Sequence, residues 1–188
     1  MQKFKLYLLT LISVLYLNTG YALEAKDFDL SGFKPGMSYE QVKEKTDAFT
    51  NDDGKKTMIF KSDNKLKNNE PYIRKIITYK NKIEFAFEFV PSTENDDLLL
   101  YSIEYKVPNT TENITNLLDA TYAKFGDPQY GEKAVNQTQE WCDQPRSTKR
   151  CEKDLKLKYI ASTNFITLQD GSYLRTYNNK KNKVKIEL

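Results

Sequence analysis

The chain of 188 residues contains no histidine. That excludes the Ser-His-Asp and Cys-His arrangements of nucleophilic catalysis, and it excludes imidazole as a metal ligand. Cysteine is limited to Cys142 and Cys151, too few for a thiolate metal site. Glycine occurs seven times, and neither a phosphate-binding loop nor a dinucleotide fingerprint is present. The GxSxG motif is missing as well. No excess of one charge exists: 29 Lys and Arg stand against 26 Asp and Glu, which is not the footprint of a nucleic-acid binder. The chain therefore offers no catalytic constellation, no metal set and no cofactor fingerprint.

No apolar run reaches the roughly 20 residues that a membrane span requires. The longest, LYLLTLISVLYL, follows Lys3 and Lys5 and precedes Gly20-Tyr21-Ala22, where small residues occupy the −3 and −1 positions of a cleavage site. Residues 1–22 thus read as a signal peptide, with an uncleaved anchor as the alternative. Cleavage after Ala22 leaves 166 residues, with 27 basic and 26 acidic side chains once Lys3 and Lys5 are removed. No cysteine follows the cleavage point for lipid attachment. Residues 23–188 suit one secreted domain, divisible into helix-plus-meander halves over about 32–107 and 109–188.

In an exported chain an even pair of cysteines is most simply a disulfide. The pair encloses DQPRSTKR, whose tip carries Arg146, Lys149 and Arg150 around the turn-former Pro145. Three cations here form either a solvated turn or a patch that docks on an acidic partner surface. Trp141, beside the bridge, is either a core plug or an interface anchor.

GFKPGMSYEQVKEK, residues 32–45, has the parts of a helix start. Ser38 is a good N-cap, and Gln41 three residues later completes a capping box. Met37 before the cap can staple onto Val42, while Pro35 and Gly36 turn the chain ahead of it. A one-faced helix of about eleven residues does not persist alone in water, so it must dock. Its support reads as an antiparallel meander. TMIFK and PYIRKIITYK come first, a turn near Asn81 follows, and Ile83–Val90 and Leu99–Val107 alternate with the period of half-buried strands.

A second helix follows Pro108, with Asn109 and Glu112 as a cap pair, Ile114, Leu117, Leu118, Thr121 and Phe125 on one stripe, and Gly126 at its end. Strands then resume as LKLKYI, NFITLQ and SYLRTY, the last two around an Asp170-Gly171 hairpin, and Val184, Ile186 and Leu188 alternate at the terminus. KSDNKLKNNE and NNKKNK read as solvated loops. The class is α+β: two short helices on an antiparallel sheet, with the helix-then-strands order occurring twice.

The opening motif, carried by Gly32, Gly36, Met37, Ser38 and Val42, resembles that of small bacterial envelope proteins of the SmpA/OmlA (BamE) type. It is similar also to repeats of the β-lactamase-inhibitor-protein fold. The resemblance implies a short helix packed on an antiparallel sheet and a function in protein binding, either outer-membrane assembly or inhibition. The chain departs from SmpA/OmlA proteins in its length and in lacking a lipid-anchor cysteine.

Carboxylates remain as the only chemistry to weigh. Asp52-Asp53-Gly54 and the group Glu94, Asp96 and Asp97 fall between predicted elements, where acids are ordinarily just solvated. A glycosidase pair is a matter of separation in space and not of sequence. The 13 tyrosines suit sheet faces or a binding surface. The expectation is a non-catalytic periplasmic or secreted protein, without cofactor or nucleic acid, that binds another envelope protein. The alternatives are an inhibitor or immunity protein, or a hydrolase that works through paired acids.

Overall fold

A computed structural model describes residues 28–49, 55–66, 70–134, 137–142, 151, 155–160 and 164–184. The signal segment 1–22, Asp52 and Asp53, the loop tip with Arg146, Lys149 and Arg150, and the terminal Ile186 and Leu188 lie outside the described residues.

The order of elements is α1 (Tyr39–Asp47), β1 (Met58–Lys65), β2 (Pro71–Lys80), β3 (Ile83–Pro91), β4 (Leu98–Lys106), α2 (Thr111–Phe125), β5 (Thr138–Cys142), β6 (Leu155–Ile160), β7 (Phe165–Asp170) and α3 (Gly171–Val184). The fold class is α+β. The strands form one sheet in the order β1-β2-β3-β4-β7-β6-β5, antiparallel throughout, so the two strand groups meet where β4 pairs with β7. Neighbours along the chain pair by short turns, as at Asn81 and Lys82, whose φ values of 51° and 65° suit a tight hairpin.

Directly opposed residues share a face of the sheet. Ile76, Phe87, Ile103 and Leu168 form one row across β2, β3, β4 and β7. Phe85, Tyr105 and Ile166 form the next. These rows meet Val42 of α1, Leu117 and Leu118 of α2, and the leading segment Phe28, Leu30 and Phe33 in a single apolar core. Leu30 and Phe33 close a turn on each other through Ser31 and Gly32, both at positive φ. On the other face the rows are Lys75, Glu88, Ser102 and Gln169, and Tyr79, Glu84 and Lys106.

The capping box expected for α1 is present: the Gln41 N–H donates to Ser38 Oγ at 3.2 Å, and the Ser38 N–H donates to Gln41 Oε1 at 2.9 Å. Several expectations need correction. α2 is capped by Thr110, not Asn109, because the extended backbone of Thr110 aims its hydroxyl at the Asn113 N–H, 3.2 Å away. SYLRTY is not a strand and Asp170-Gly171 is not a hairpin. Asp170 Oδ1 accepts from the Ser172 N–H at 2.9 Å and so caps α3, a third helix. The alternation of Tyr173 and Tyr177 also satisfies helical spacing, and the side-chain cap decides between the two. Val184 belongs to this helix. KSDNK continues β1, and NNKKNK falls in α3. Among the described residues the second half therefore has three strands in place of four. One of them, TQEWC, is β5.

Candidate functional site

The opening motif does more than start a helix. β7 pairs with β4 only from Ser102 to Lys106, which leaves the first part of β4 without a neighbour on that side. Gly36 and Met37 fill the gap: the Gly36 N–H donates to Leu100 O at 2.7 Å, and the Leu100 N–H donates to Met37 O at 2.8 Å. Gly36 holds φ at 89°, and a Cβ there would stand 2.6 Å from the Tyr173 hydroxyl of α3. The positive φ is what calls for glycine at this position, since the Tyr173 hydroxyl is the tip of a side chain that can shift. Gly32, Gly36, Met37, Ser38, Gln41 and Val42 are thus a docking element that seals β4 and seats Val42 in the core.

The far edge of the sheet is sealed in the same manner. The Glu140 N–H donates to Tyr130 O at 2.9 Å, and the Tyr130 and Gln129 N–H groups donate back to Glu140 O. Gln129 Oε1 accepts from the Cys142 N–H at 2.9 Å. Trp141 is fully buried, donates from Nε1 to Gly126 O at 2.9 Å, and meets the Tyr122 ring edge-on. Its surroundings are those of a core plug. Cys142 and Cys151 form the expected disulfide, with Cα atoms 5.6 Å apart. The buried Glu140 carboxylate holds the second cysteine by accepting from the Cys151 N–H at 2.8 Å. Sequence reasoning missed β5 because Gln139 and Glu140 are buried polar residues, which breaks the alternation of a half-buried strand.

The opposite edge differs. β1 has no outer neighbour among the described residues, and it presents Met58, Ile59 and Phe60 at 41%, 55% and 39% exposure. Among the described residues these are the large apolar side chains that stand open, and Lys55, Lys56, Lys61 and Lys65 bracket them. Two register shifts interrupt its pairing with β2 after Phe60.

The acids settle into structural positions. Glu94, Asp96 and Asp97 lie in the loop between β3 and β4, where the Asp97 carboxylate accepts from the Asn95 side-chain amide and the Ser92 N–H donates to Asp97 O at 2.7 Å. Among the described residues no group of three or more Asp, Glu or Cys is placed to hold a metal ion. On the polar face Lys75 pairs with Glu88 at 3.2 Å and Lys106 with Glu84 at 3.7 Å. A bulge after Glu88 turns Tyr101 onto this face, and its hydroxyl donates to Glu88 at 2.7 Å. Burial pushes the Tyr101 hydroxyl pKa up, and Glu88 adds to the rise. Burial likewise pushes the Glu104 carboxyl up, Glu84 and Glu88 reinforce it, and Lys75 and Lys106 offset it in part.

α3 crosses the end of this face. Tyr177 meets the Tyr72 ring edge-on, and between α3, the end of β1 and the loop between β3 and β4 lies a cavity of about 450 Å³. No described helix is long and apolar enough to cross a membrane. Compared with family profiles, with curated proteins and with solved structures, the chain matches none.

Proposed function

We propose that this is a non-catalytic protein of the bacterial periplasm or exterior that binds another envelope or secreted protein, and that it receives the partner along β1. One observation carries the reading. The molecule seals one edge of its sheet with Gln129 and Tyr130 and the short gap on β4 with Gly36 and Met37, yet leaves apolar Met58, Ile59 and Phe60 on an edge with no outer neighbour among the described residues. An open edge with apolar side chains is a template for an added strand, where backbone hydrogen bonds give affinity and side-chain pockets give selectivity. The disulfide supports an oxidising compartment. The apolar leader supports export, and the resemblance of the opening motif to SmpA/OmlA-type proteins and to inhibitor repeats supports protein binding as housekeeping, inhibition or immunity.

Affinity capture from periplasmic extract with the parent chain and with an Ile59→Lys, Phe60→Lys variant tests this. A discrete partner should be retained by the parent chain and lost with the folded variant. Equal retention by both would move the binding surface elsewhere. A second reading, a hydrolase acting through carboxylates, is favoured by the raised Glu104 carboxyl beside Glu84 and Glu88. Turnover of a cell-wall glycan by the purified chain, abolished in Glu104→Gln, would replace the binding reading.

A further inference from the structure

The cavity at the end of the polar face has a composition of its own. Leu66 and Pro91 and the Tyr177 ring supply apolar wall, and among the described lining residues Lys65, Lys180 and Lys181 supply three cations against one acid, Asp96. Its volume of about 450 Å³ falls within the span of roughly 300–1,000 Å³ typical of small-molecule sites. Two lysines tie its walls together. Lys180 Nζ donates to Thr93 O in the loop between β3 and β4, and Lys181 Nζ donates to Asn64 Oδ1 at 2.6 Å near the end of β1. An ammonium carries three N–H donors, so each lysine keeps donors beyond these bonds. An apolar wall asks for an apolar body, and lysines in excess over acid ask for a negative head.

We infer that the cavity between α3, the end of β1 and the loop between β3 and β4 binds an amphipathic anion, with its apolar body against Leu66, Pro91 and Tyr177 and its carboxylate or sulfonate head at Lys65, Lys180 and Lys181. Lys65, Lys180 and Lys181 are exposed, so the selectivity of the head over an uncharged analogue comes from several cations meeting it together. The site is separate from the apolar triplet on β1, and its occupation does not depend on protein binding there.

Fluorescence titration of the purified full chain with anilinonaphthalene sulfonate tests the inference, with decanoate and decanol as competitors. Saturable binding is expected, displaced by decanoate and much less by decanol. Lys180→Glu with Lys181→Glu should weaken binding by about tenfold or more, the scale of a lost charge-assisted contact. Because those changes also cut the ties from α3, Lys65→Glu serves as a second variant outside the helix, and it should weaken binding in the same direction with an unchanged melting temperature. The control Ile59→Lys should bind as the parent does. Unsaturable binding, equal displacement by decanol, or undiminished affinity in Lys65→Glu would overturn the site. Loss of the probe in Ile59→Lys would assign it to the β1 edge instead and overturn it equally.

Discussion

The two edges of the sheet have the same backbone problem and opposite solutions. Each presents a row of N–H and C=O groups that can template another strand. At β5 the protein answers with its own chain: Tyr130 pairs with Glu140, Gln129 reaches Cys142, and the disulfide and the buried Glu140 hold the returning segment at Cys151. Trp141 then joins that edge to α2 through Gly126 and Tyr122. At β1 there is no such cover among the described residues, and apolar side chains stand open between lysines. The difference teaches that exposure at β1 is not a general weakness of the fold. The molecule closes edges elsewhere, so the open one is where the proposed partner would add its strand.

If the β5 edge is core, the largest effect comes from removing its plug. Trp141→Ala should cost about 3–5 kcal/mol, the scale of a large aromatic truncated inside a packed core. Chemical denaturation measures it, and a loss below 1 kcal/mol would return Trp141 to the role of interface anchor. Next comes the covalent clamp. Replacing both Cys142 and Cys151 by Ser should cost about 2–3 kcal/mol, the chain-entropy value for so short a loop. An unchanged denaturation midpoint would show that Glu140 and Gln129 hold the edge unaided.

The seal on β4 is a smaller piece of the same design. Ser38→Ala removes half of the capping box that follows Gly36 and Met37 and should cost about 1 kcal/mol. Denaturant midpoints at constant slope check it. The smallest effect on stability belongs to the open edge, and there the comparison is sharpest. Ile59→Lys with Phe60→Lys should change stability by no more than about 0.5 kcal/mol per site, the ordinary range for surface substitutions. A large loss would mean that β1 is packed and not open.

Legibility in the sequence followed the same division. α1 and its capping box, the strands from β2 to β4, and the disulfide were readable because each rests on local chemistry: a cap pair, a period of two, an even pair of cysteines. β5 was not readable, since Gln139 and Glu140 are buried through bonds to Ala134 O and the Cys151 N–H, partners distant from any periodic signal. α3 was misread because Asp-Gly is both a hairpin signal and an N-cap with its first helical residue, and only the Asp170 to Ser172 bond distinguishes them. The lysines of KSDNK and NNKKNK read as loops because composition reports exposure, and Lys61, Lys65, Lys180 and Lys181 are exposed while belonging to β1 and α3. The open edge itself was invisible, because which strand ends a sheet is decided by pairing across the whole chain.

The proposed function rests on a partner protein meeting the molecule along β1. Its most direct test is photo-crosslinking in the intact cell, with a photoreactive side chain placed at Ile59 of the full chain and, separately, at Gln129 on the sealed edge. A discrete protein adduct is expected from position 59 and none from position 129. No adduct at 59, or the same adduct from both positions, would contradict it.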